Sequence, residues 1–284
     1  MEQPTSRPPR RLLPVEVKLL AVVVVGAVVT IAILTFEQRA LEPIGSGPVV
    51  YNDGDLPLEG YLAVGKPKAG PAGAPGVLIV HQWQGLTRYE RTRARLLAAE
   101  GYVVFAADVY GQGIRPMTEE EAEAESAKYY ENTDLLLRRL NAALETLKAN
   151  PLVDPARIGS VGYCFGGMGA LELARSGADL KAVVSVHGTL KTKHPEKAKN
   201  IKAELLLLHG TRDPWVPLEE VDGFFEEMRG APDVKWRFTA YGGAYHAFTS
   251  PFVGDNPFYS GAAYHPEADR RSWNEMVRFL DEVL

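Results

Sequence analysis

The chain has one cysteine, Cys164, set in Val161-Gly162-Tyr163-Cys164-Phe165-Gly166-Gly167-Met168-Gly169. A strand-like run at 157–161 precedes it, and a helical run at 170–175 follows. A thiol at a sharp strand-to-helix turn, flanked two residues away by glycines, has the G-x-S-x-G form of a nucleophile elbow, with sulfur in place of oxygen. Such a turn strains the backbone of the nucleophile, and the close approach of strand and helix leaves no space for side chains at Gly162 and Gly166. The N-terminus of the new helix favours a thiolate. This arrangement suits attack on an acyl carbon. The competing reading is a small buried hydrophobe in a glycine-rich turn.

Asp213 and His246 follow Cys164 in the order nucleophile, acid, histidine. In such a triad the imidazole takes the proton of the nucleophile and later protonates the leaving group. The carboxylate fixes the imidazole tautomer and stabilises imidazolium. An oxyanion needs two donors; the backbone N–H groups of Phe165, next after the nucleophile, and of Trp83 are the natural pair. Taken singly, Asp213 reads equally well as a turn residue before Pro214, and His246 as a structural loop histidine.

These residues need a sheet to bring them together. Apolar runs at 76–81, 102–107, 180–186 and 203–208 read as buried parallel strands. Strands at 48–53 and 57–64 form a hairpin around Asn52-Asp53-Gly54-Asp55, and 234–240 is the last strand. Helices are predicted at 87–100, 118–130, 133–149, 218–230 and 268–284. Alternating strands and helices imply an α/β fold with a mainly parallel sheet flanked by helices, its chemistry at the carboxyl ends of the strands. Gln82, Asp108, Cys164, His187, Asp213 and His246 all fall at such ends. The acidic run Glu119, Glu120, Glu121, Glu123, Glu125 reads as a solvated helix face. His81 and His209 read as structural.

Gly162-Tyr163-Cys164-Phe165-Gly166-Gly167, His209-Gly210-x-x-Asp213-x-x-Val216-Pro217 and Gly242-x-x-x-His246-x-Phe248 together resemble the dienelactone hydrolase family. His81-Gln82-Trp83-Gln84-Gly85-Leu86 and Ala107-Asp108-Val109-Tyr110-Gly111 fit it as well. The resemblance covers residues 48–284. It implies an α/β-hydrolase fold and a Cys-His-Asp hydrolase that opens lactones or cleaves activated esters through a thioester, without a cofactor. Three positions depart from the pattern. Gln82 stands where dienelactone-opening members carry a glutamate that contacts the thiol; an amide can hydrogen-bond sulfur but cannot take its proton. Gln112 and Ser250 stand where those members hold a substrate carboxylate with two arginines, and Arg115 is the nearest substitute. A less charged ester, lactone or thioester is therefore the better expected substrate. Tyr110, Tyr163, Tyr245 and Phe248, with Arg115 and His187, are candidate pocket residues, although ordinary core packing explains each aromatic ring equally well.

The N-terminus has a different character. Residues 1–18 are polar and basic, and 19–36 carry no charge. Eighteen helical residues span ~27 Å, about one bilayer core. Arg7, Arg10, Arg11 and Lys18 precede the run and Glu37 follows it, which places the N-terminus in the cytoplasm and the rest of the chain outside. Residues 1–18 are then a cytoplasmic tail, 19–36 a transmembrane anchor, 37–47 a linker and 48–284 the hydrolase domain. A cleaved signal peptide is the alternative for 19–36.

A net charge of −5 and the lack of a basic run argue against nucleic acid. One cysteine forbids an intrachain disulfide, and the six histidines lack zinc-site spacing, so no metal is expected. Two further readings stay open. One is a non-catalytic ligand-binding module of the same fold at the membrane. The other is an acyltransferase using the same triad.

Overall fold

The computed structural model describes residues 45–257 and 260–284. One eight-stranded sheet runs through them in the order β1-β2-β4-β3-β5-β6-β7-β8. Strands β1 (Gly47–Asp53) and β2 (Leu56–Val64) form the expected hairpin, turning through Gly54 at φ 60°. β2 pairs antiparallel with β4 (Val103–Ala106). From there β4, β3 (Ala74–Val80), β5 (Val153–Tyr163), β6 (Ala182–Val186), β7 (Glu204–Gly210) and β8 (Trp236–Tyr241) are all parallel.

The continuous apolar strands are buried on both faces, with side chains alternating between two cores. In β3, Leu78 and Val80 point to one core and Val77 and Ile79 to the other. In β7, Leu205 and Leu207 join the first core, Leu206 and Leu208 the second. Six α-helices cover the sheet: α1 (Arg88–Ala99), α2 (Glu119–Glu131), α3 (Thr133–Lys148), α4 (Phe165–Arg175), α5 (Leu218–Arg229) and α6 (Pro266–Val283). Helices α1 and α6 pack on the second core, and α3, α4 and α5 on the first. Thr87 caps α1 with a capping box closed by Glu90.

Two boundaries differ from expectation. Helix α4 starts at Phe165 rather than near 170, although its first turn contains Gly166, Gly167 and Gly169. Propensity alone disfavours helix there; packing against β3 overrides it, since only glycine fits so close to the Val80 carbonyl. A short 3-10 helix, Pro195–Asn200, also interrupts the connection from β6 to β7. The anchor expected at 19–36 lies outside the described residues, and among those described no helix is long and apolar enough to cross a membrane.

One buried ion cluster ties α4 to α5. The Arg175 Nε and Nη2 atoms donate to both oxygens of Glu227 at 2.7 Å, and Nη1 donates to Glu172 at 2.9 Å. Arg175 is 1% exposed, so removing it strands two carboxylates out of water. Arg175→Met should lower unfolding free energy by roughly 3–5 kcal/mol, read from a urea melt at pH 7. A loss below ~1 kcal/mol would show that the carboxylates find other partners.

Candidate functional site

Cys164 sits between β5 and α4 with φ 55° and ψ −119°. A non-glycine residue at positive φ costs ~1–3 kcal/mol and persists only where its surroundings enforce it. The enforcement here is visible. The Cys164 N–H donates to Val186 O at 3.1 Å. A Cβ at Gly162 would lie 1.8 Å from the Gly166 carbonyl oxygen, and a Cβ at Gly166 would lie 2.1 Å from that of Val80. The two glycines allow strand and helix to meet, and the bend leaves the Cys164 side chain partly exposed at the sheet's carboxyl edge.

The loop after β7 supplies Asp213, which is buried. Its Oδ1 accepts the N–H groups of Trp215 at 2.9 Å and Val216 at 3.2 Å. That leaves Oδ2 for His246 Nδ1, at 2.8 Å. The loop after β8 brings His246 in. Arg212 N–H donates to Ala244 O at 2.9 Å, and Thr211 N–H to Tyr241 O at 3.1 Å. Trp215 stacks on the His246 ring with centroids 5.5 Å apart and planes 21° apart.

His246 is 6% exposed, and its Nε2 has no well-formed hydrogen bond. Burial by itself pushes the imidazole toward neutrality. Against that act the charge of a Cys164 thiolate, the bonding to Asp213 and the attraction of its carboxylate, and together they lift His246 from 6.5 to about 10. Nε2, the nitrogen not bound to Asp213, is thus the one engaged with the Cys164 sulfur.

The loop after β3 is held from both sides. Val109 N–H donates to His81 Nε2 at 3.2 Å, so the His81 Nδ1–H donates to the Gln82 carbonyl at 2.6 Å. Burial pushes His81 down, which keeps it in that neutral tautomer. Gln82 N–H donates to the buried Glu90 Oε1 at 3.1 Å, and Tyr110 OH donates to Trp83 O at 2.7 Å. Among the described residues the Trp83 N–H has no acceptor. Phe165 is the first residue of α4, so its N–H has no intrahelical acceptor either.

Cys164 and His246 open into a cleft of about 560 Å³. Trp83 and Trp215 form one side, edge to face at 5.7 Å. Helix α2 contributes Glu119, Glu120, Glu123 and Tyr130. Thr189, just past the end of β6, completes the wall. Among the described residues no group of three or more His, Cys, Asp or Glu side chains is arranged to hold a metal ion.

None of the six residues named as pocket candidates lines this cleft. Tyr163 precedes the elbow, so strand alternation turns it into the second core against Tyr89. Phe248 is fully buried against His187 and Tyr241. His187, strained at φ 40°, backs the site: its ring lies 5.3 Å from that of His246, and its Nε2 meets Thr249 Oγ1 at 2.8 Å. Burial, helped by the His246 charge, pushes His187 well below its usual range. Tyr110 positions Trp83 from beneath. Tyr245 faces Arg212. Arg115 is taken up by the fold, donating to Asp108, Gly111 O, Ile114 O and Glu59 O, and is not free to clamp a substrate carboxylate.

The acidic run is solvated as expected, yet three of its glutamates also border the cleft. Trp215, Tyr130 and Thr189 were missed. Trp215 carried a usable signal, being a large aromatic two residues past Asp213 in a strand-end loop. Thr189 likewise follows a strand end.

The family model described as "Dienelactone hydrolase family" matches residues 58–284. A solved structure named m3DLH is 37% identical, covers 84% of this chain and 98% of its own, and superposes with a TM-score of 0.78. A dienelactone hydrolase-like promiscuous phosphotriesterase from metagenomic libraries is 32% identical over 84% of this chain and 98% of its own, with a TM-score of 0.77. A probable 2-oxo-3-(5-oxofuran-2-ylidene)propanoate lactonase from Bradyrhizobium sp. is 25% identical over 72% of this chain and 83% of its own. With the elbow, the sheet order and the match all falling on the same residues, this chain belongs to the dienelactone hydrolase family of α/β-hydrolase-fold lactone and ester hydrolases.

Proposed function

We propose that the protein hydrolyses an ester, lactone or thioester through a Cys164 acyl-enzyme, with His246 and Asp213 completing a triad. The observation that carries this reading is the His246 ring. One nitrogen is bound to Asp213 at 2.8 Å, and the other, without a closed bond, shares the cleft with Cys164. The thiolate attacks the acyl carbon, and the carbonyl electrons move onto oxygen, where the Phe165 and Trp83 N–H groups receive them. As the tetrahedral adduct collapses, His246 Nε2–H protonates the departing alkoxide or thiolate, leaving a thioester on Cys164. Nε2, now bare, takes a proton from water. The resulting hydroxide attacks the thioester, releasing the acid and restoring the thiolate–imidazolium pair. Gln82 cannot serve as base, so thiolate formation rests on His246 and the α4 N-terminus.

The test is covalent trapping. The full chain is mixed with activated esters, lactones and thioesters and quenched in acid, and intact mass is read. An acyl adduct on Cys164, lost on further incubation as free acid appears, is the expected result. Modification of another residue, or none with every compound, overturns the reading. An adduct that is discharged only when an added alcohol or amine is present identifies an acyltransferase.

We also propose that residues 19–36 anchor the chain in a membrane with the hydrolase domain on the extracytoplasmic face. The support is the uncharged run and the basic residues before it. Retention in the membrane pellet after alkaline carbonate extraction, with residues 48–284 digestible from outside intact spheroplasts, is expected. A soluble product starting beyond residue 36 points to a cleaved signal instead.

A further inference from the structure

The α2 wall of the cleft is acidic: Glu119, Glu120, Glu123 and Glu131 line it, and among the described residues no lysine or arginine does. Of the nearby amines, Lys128 pairs with Glu125, and Lys193 sits at the rim, donating to the main-chain oxygen of Glu131 at 3.0 Å. The opposite side is aromatic, with Trp83 and Trp215 edge to face and Trp215 49% exposed. At the base of the same cleft His246 meets Cys164, where the acyl group would sit. Carboxylates concentrate cations at a cleft, and aromatic faces bind them by cation–π attraction. The same carboxylates repel an anionic substrate, and the Arg115 guanidinium is held by Asp108.

We propose that this cleft selects acyl compounds bearing a cationic group, an ammonium or guanidinium seated between the α2 carboxylates and the Trp83–Trp215 wall. This rests on the hydrolase reading above and names its substrate class. Glu119, Glu120 and Glu123 belong to exposed turns of α2. Their contribution is therefore screened by salt and falls with ionic strength.

The test uses three p-nitrophenyl esters matched in acyl length and ending in trimethylammonium, tert-butyl or carboxylate. In low salt, kcat/KM for the cationic ester should exceed that for the anionic one by about 10-fold or more, with the neutral ester between them. At 0.5 M salt the spread should shrink several-fold. In the triple variant E119Q/E120Q/E123Q the cationic-to-neutral ratio should collapse toward one, with the melting temperature checked to confirm folding. Equal rates for the cationic and neutral esters in low salt, or preference for the anionic one, overturn the proposal while leaving the hydrolase reading intact. Should none of the three esters turn over, the trapping panel above decides the hydrolase reading, and tetramethylammonium titrated against tryptophan fluorescence decides this one separately. Saturable quenching by that cation, lost in the triple variant, supports a cation site; its absence overturns it.

Discussion

Cys164→Ala should remove at least about 10³-fold, and up to about 10⁶-fold, of the turnover of a p-nitrophenyl ester, because on the proposed mechanism it deletes the atom that carries the acyl group. The change should leave stability nearly untouched. The side chain is partly exposed, and alanine keeps the Cβ that the elbow already accommodates at φ 55°. The melting temperature therefore serves as the control. Activity above a tenth of wild type in a folded variant would place the nucleophile elsewhere. Iodoacetamide gives an independent reading at pH 6–7. A thiolate held beside imidazolium and a helix N-terminus should alkylate much faster than glutathione does.

The glycines of the elbow and the order of Cys164, Asp213 and His246 were legible in the sequence because each answers to a local rule. Gly162 and Gly166 are required by backbone contact, and the three side chains each follow a run with strand character. The sheet was legible for a similar reason: strands buried on both faces read as unbroken apolar runs. The walls of the cleft were not. Periodicity marks Glu119, Glu120 and Glu123 as the polar side of a helix, but only the packing of α2 shows that this side overhangs the edge carrying Cys164. Tyr163 and Phe248 failed as pocket residues for the converse reason. Closeness in sequence to a catalytic group says nothing of which way an aromatic side chain turns, and both turn into the second core.

The absence of a spare arginine and the presence of α2 carboxylates fit together. The expectation that an anionic lactone is a poor substrate arose from Gln112 and Ser250 alone. Arg115 was the position that could have reversed it, and its bonds to Asp108 and to the carbonyls of Glu59, Gly111 and Ile114 use it for the loop after β4. Charge selection thus acts twice, through the cations the site lacks and through the anions it displays.

Asp213→Asn should cost about 10³–10⁴-fold in kcat with little change in fold, and the bonding around Asp213 says why. Oδ1 already accepts two backbone N–H groups, from Trp215 and Val216. In the amide, the carbonyl oxygen must keep that place, since an NH₂ there would face two donors. The NH₂ then turns to His246 Nδ1, which can accept its hydrogen bond only in the tautomer protonated at Nε2. The nitrogen facing Cys164 is then unable to take a proton in the hydrolytic half of the cycle. The substitution also removes a charge that holds His246 up at about 10, so the alkaline limb of kcat/KM should move to lower pH. Stability has a matching sign. A histidine raised from 6.5 to about 10 on folding contributes fully below pH 6.5 and loses that contribution as pH rises toward 10. The stability gap between wild type and variant should therefore be widest near pH 6 and narrowest near pH 10, read by urea melts at both. A gap that widens with pH would mean that His246 is neutral in the folded protein and that the thiolate–imidazolium pair is not its resting state.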